Sequence, residues 1–112
     1  MLTFDEFKRK LEDECITALA AGYKINYGIG SHYERLSCCC PLGTKFANAG
    51  ISCRWPLSSD AAYKWNISKE DAGSFMQGYG SGPEEPYNDN HYYNLGLAYK
   101  KKFILDAEKN RR

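Results

Sequence analysis

The stretch SCCCPLG at residues 37–43 sets Cys38, Cys39 and Cys40 side by side ahead of a proline. Thiolates bind soft metals, attack electrophiles and exchange with disulfides, chemistries that compete with plain packing as roles for these residues. For zinc the available ligands are Cys38, Cys40, Cys53 and His32. Structural zinc sites draw on ligand pairs about two to four residues apart, a spacing that lets two sulfurs converge on one ion, whereas adjacent residues diverge on a strand or a helix. Only Cys38 and Cys40 have a workable spacing and no second close pair follows, so no metal is expected. A nucleophilic or redox cysteine needs a cation, a histidine base or a helix N-terminus to stabilise the thiolate, and His32 or Arg35 could serve Cys38 or Cys39. The chain has only two histidines, however, which leaves little acid–base machinery, and CPLG matches no catalytic signature. The favoured reading is that these thiols act as small hydrophobes at a packed crossing, with a cysteine-dependent enzyme or redox protein using Cys38, Cys39 or Cys40 as the third-ranked function.

Other groups carry less chemistry. The glycines of GIGSHY and GYGSG lack the third glycine of a dinucleotide fingerprint and the lysine of a phosphate-binding loop, and no cofactor is implied. Glu84 and Glu85 fall in a proline-rich stretch that favours solvation over a paired acid and base. His91 reads as a surface or capping histidine, Trp55 and Trp65 as core anchors, and the NIS triplet at Asn66 carries no weight without a secretory signal.

The elements that would position these residues are mostly helical. Thr3 with Glu6 forms a capping box, and Phe4, Phe7, Leu11, Cys15 and Leu19 recur at helical spacing, which predicts an amphipathic helix over residues 4–21 before Gly22. Tyr23, Ile25 and Tyr27 alternate with polar residues and suit a short strand. Ser31 with Glu34 would open a helical turn from His32 towards Cys39 that Pro41 stops, and residues 44–57 would add one or two helical turns or a further extended piece. SSDAAYKW predicts a helix over 59–65. Ser68, with Asp71 three residues on and Ile67 placed to staple against Ala72, predicts another over 69–78, presenting Ala72, Phe75, Met76 and Tyr79 to a core. The segment GYGSGPEEPYNDN, with three glycines and two prolines, reads as a loop. A last helix over 91–108 would bury Tyr92, Leu95, Tyr99, Phe103 and Ala107, with Gly96 marking a close helix crossing. The expected fold is mainly α, one compact domain over 1–112 with about four helices, Gly-rich connections, room for one short hairpin and a fraying basic tail at 109–112.

Composition fits a folded chain, since a hydrophobic fraction of 43% with 14% aromatic residues argues against disorder. Five cysteines, an odd number, make a poor disulfide framework and fit a reducing cytosol, and the charged N-terminus and short apolar runs predict a soluble cytoplasmic protein with no membrane partner. The formal charge is only +1, although residues 100–112 carry a net +4 and residues 68–90 a net −4. Nine tyrosines and an acidic glycine-rich loop make a small protein-interaction module the leading function, a regulator, adaptor or inhibitor that covers a surface of a larger protein or complex. By analogy with small proteins of phages and mobile elements, one such target is a host nucleic-acid-handling complex that the protein inhibits. The expected contact residues are Tyr79 and Tyr87 as anchors and Glu84, Glu85 and Asp89 as steering charges. The alternative is nucleic-acid binding through Lys100, Lys101, Lys102, Lys109, Arg111 and Arg112, which is not favoured because the basic tally is small and no known reading motif precedes it.

Overall fold

The computed structural model describes residues 1–25, 38–50, 58–80 and 90–105, and for Cys38, Cys39, Ser58 and Leu105 the description stops at the backbone. The fold is mainly helical: α1 (Phe4–Ala20), α2 (Thr44–Asn48), α3 (Ser58–Trp65), α4 (Lys69–Tyr79) and α5 (His91–Lys100), with two short strands, β1 (Lys24–Ile25) and β2 (Cys38–Cys39).

Helix α1 begins where its capping box places it. Oγ1 of Thr3 accepts the amide of Glu6 at 3.2 Å, and Oε1 of Glu6 accepts the amide of Thr3 at 2.9 Å. These bonds hold the Glu6 carboxyl below the usual carboxylate range. The helix buries Phe7, Leu11, Cys15 and Ala18, while Leu19 is 47% exposed. That corrects the expected stripe, because steps of four residues overshoot a helical turn and rotate Leu19 by about 120° from Phe7, whereas the three-residue step to Ala18 turns back towards the core. The end of α1 is closed by Gly22 at φ 96°. Its amide donates to Leu19 O at 3.1 Å and that of Tyr23 to Ala18 O at 3.0 Å, a Schellman closure that only a left-handed residue permits.

The chain then enters β1, which pairs with β2 in parallel, Lys24 opposite Cys38 and Ile25 opposite Cys39. A hairpin would make this pair antiparallel, so these two strands do not form one, and residues 26–37 between them lie outside the described residues. The helical turn expected to reach Cys39 does not do so either. A residue before proline is pushed away from the helical region, and Cys40 is extended at φ −79°, ψ 167°. Pro41 starts a helix instead of stopping one, occupying the first position of a 3-10 turn over Pro41–Gly43 that leads directly into α2. The fully buried Thr44 donates its hydroxyl to Pro41 O at 2.6 Å, and Nδ2 of Asn48 ties α2 to α1 through Glu14 O at 2.9 Å.

Between α3 and α4 stands Asn66 at φ 57°, the one described non-glycine residue in the left-handed region. Asparagine tolerates that conformation, and the amide of Ile67 reaches back to Ala62 O at 3.1 Å as in a helix closure of the same kind. Asn66 O also accepts the amide of Leu2 at 2.8 Å, which fastens the start of the chain to this turn. Ser68 Oγ then accepts the amide of Asp71 at 3.1 Å to cap α4, with Ile67 and Ala72 both buried on the core side.

Helices α4 and α5 cross through two glycines. A Cβ on Gly78 would run into the carbonyl oxygen of Tyr93, and one on Gly96 into the carbonyl oxygen of Phe75 while lying 3.0 Å from the amide nitrogen of Tyr79. The crossing expected at Gly96 is therefore reciprocal, backbone against backbone. Beyond Lys100 the helix widens into a π-helical turn over Lys101–Leu105; of the helix expected to run to Glu108, the remainder lies outside the described residues.

An aromatic cluster fills the centre. Phe7 meets Trp65 at 5.4 Å and Phe75 at 6.0 Å edge-on, and Tyr92 at 5.2 Å with the rings tilted, between ring centroids. Trp65 is wholly buried, donates Nε1–H to Leu42 O at 2.9 Å and lies under the Lys45 ammonium at 5.0 Å, so it anchors the core as expected. Trp55 falls outside the described residues.

Candidate functional site

The α4–α5 crossing fixes where the acidic stretch of residues 81–89 leaves the core and where it returns. Its departure point is Gly80, whose amide donates to Met76 O at 2.8 Å as α4 ends. Its return point is Asn90, which does two jobs. Oδ1 accepts the amide of Tyr93 at 3.0 Å and caps α5, while Nδ2 donates to Ser74 Oγ on α4 at 2.9 Å. Asn90 escaped the sequence reading, although an asparagine immediately ahead of the helix starting at His91 is itself a capping signal. Nothing local could have disclosed its bond to Ser74.

Of the expected contact residues, Glu84, Glu85, Tyr87 and Asp89 lie outside the described residues. Tyr79 lies within them and is 1% exposed, its ring stacked on Phe75 at 6.3 Å and 8°. Its sequence position supported two roles, the last core residue of α4 and an anchor in the following loop. The helix continues through Tyr79, so the ring belongs to the core and cannot meet a partner while the fold is intact. This corrects its place among the anchors.

The basic set divides in a similar way. Lys101 and Lys102 are exposed, and the Lys102 ammonium lies 5.3 Å from the Phe103 ring centroid. Lys100 is only 9% exposed, which leaves little of its side chain for a phosphate to meet. Lys109, Arg111 and Arg112 lie outside the described residues.

Cys40 is 2% exposed and belongs to the core beside Leu42 and Trp65, in keeping with the packing reading of this thiol, and Cys15 is buried within α1. His32, Arg35 and Cys53 lie outside the described residues, as do the side chains of Cys38 and Cys39. Among the described residues no group of three or more His, Cys, Asp or Glu side chains could hold a metal ion, and no helix is long and apolar enough to cross a membrane. Comparison with protein-family models, with curated proteins and with solved structures returns no match.

The surroundings of two tyrosines, Tyr92 and Tyr99, favour the neutral phenol. Burial pushes the Tyr99 phenol well above the ordinary tyrosine range, with Cys15 and Glu12 acting in the same direction. Burial likewise raises Tyr92, to which Asp71 adds. His91 is exposed and rests against Phe4 at 5.3 Å between ring centroids, a surface packing contact in line with its expected role.

Proposed function

We propose that this protein is a small non-enzymatic interaction module, a regulator, adaptor or inhibitor that covers a basic surface of a larger protein or complex with residues 81–89. The observation that carries the reading is that both ends of this acidic segment adjoin one close helix crossing, through the Gly78 and Gly96 contacts and the Asn90 bond to Ser74. Fixed ends lower the ordering cost of binding, and glycine, proline and acidic residues contribute little to a core. Tyr87 is the anchor in this reading, with Glu84, Glu85 and Asp89 steering the approach.

The test is capture of partners from the source cell on the immobilised protein, followed by association kinetics of the captured partner. Glu84→Lys with Glu85→Lys is expected to slow association and flatten its dependence on salt while the melting temperature stays in place. Binding that survives this double change, but is lost from a still-folded Cys38→Ser or Cys39→Ser protein, overturns the reading in favour of the cysteines. Binding of DNA or RNA that weakens with salt and with Lys101→Ala and Lys102→Ala would instead favour the basic C-terminal region.

A further inference from the structure

We draw no further inference here: the strongest candidate, the exposed apolar pair Ile16 and Leu19 towards the C-terminal end of α1, is an uncovered helix face and nothing in the structure shows what occupies it.

Discussion

Trp65 shows how much one side chain can be asked to do. Its ring fills the space between Phe7 and Lys45, and its indole N–H is the described partner of the Leu42 carbonyl at 2.9 Å. Trp65→Phe keeps an aromatic ring but leaves a void and a carbonyl in want of a donor. The expected loss is about 2–4 kcal/mol in chemical denaturation, within the range for core truncations with an unsatisfied polar group. Tyr99 tests the fold through pH. Its phenol is raised in the folded state above the ordinary value of 10.0, so the neutral form is the one the fold prefers. Below that value both states are protonated and the stability is fully present; above it the unfolded chain releases the proton first and stability falls as pH rises. Tyr99→Phe should make the decline above pH 10 shallower, read as melting temperature against pH, and parallel curves for the two proteins would refute the assignment.

At the scale of elements, the glycines of α4 and α5 offer an internal comparison. Alanine is the better helix former by about 1 kcal/mol, so propensity alone predicts that every helical Gly→Ala change stabilises. Gly73 has nothing within 4 Å of an added Cβ, and Gly73→Ala should gain about 0.5–1 kcal/mol. Gly78→Ala and Gly96→Ala would drive a methyl group into the facing backbone and should cost about 1–3 kcal/mol or more despite the same propensity gain. Thermal denaturation of the three variants separates the effects, and equal shifts would mean that the helices do not cross here. At the start of α5, Asn90→Ala loses both the acceptor for the Tyr93 amide and the donor to Ser74, whereas Asn90→Asp keeps the acceptor and can take the Ser74 hydroxyl proton in place of donating its own. The alanine variant should lose about 1 kcal/mol of stability through the cap, and it should weaken partner binding while the aspartate variant retains it if the bond to Ser74 positions residues 81–89.

What was legible in the sequence follows the range of each interaction. Thr3 with Glu6 and Ser68 with Asp71 announce their helices because cap and capped amide are three residues apart. The pairing of Lys24 with Cys38 was hidden because its partner is distant in sequence and two-residue strands leave almost no alternation to read. Pro41 is ambiguous in sequence because the same ring that cannot sit inside a helix is well suited to begin one. Tyr79 supports two incompatible roles in sequence because its neighbouring glycines resemble a loop, while its spacing from Ala72 and Phe75 follows a helix.

For the whole molecule, the described elements share one core assembled from aromatic rings and aliphatic side chains, so cooperative folding should not depend on a bound ion. Far-UV circular dichroism is expected to show the same helical signal and the same melting transition before and after treatment with a chelator; loss of the signal would revive the cysteine-metal reading. The two kinds of tie in this core also differ in the order in which they can form. The α4–α5 crossing joins neighbours along the chain, whereas the Leu2 amide reaches Asn66 and Phe7 reaches Trp65 only after most of the polypeptide between them has been gathered in. Local contacts cost less chain entropy to close and tend to come first. In stopped-flow refolding, Gly96→Ala should therefore chiefly slow the approach to the native state, while Leu11→Ala should chiefly hasten escape from it, making the helix that begins the chain the last to dock and the first to let go.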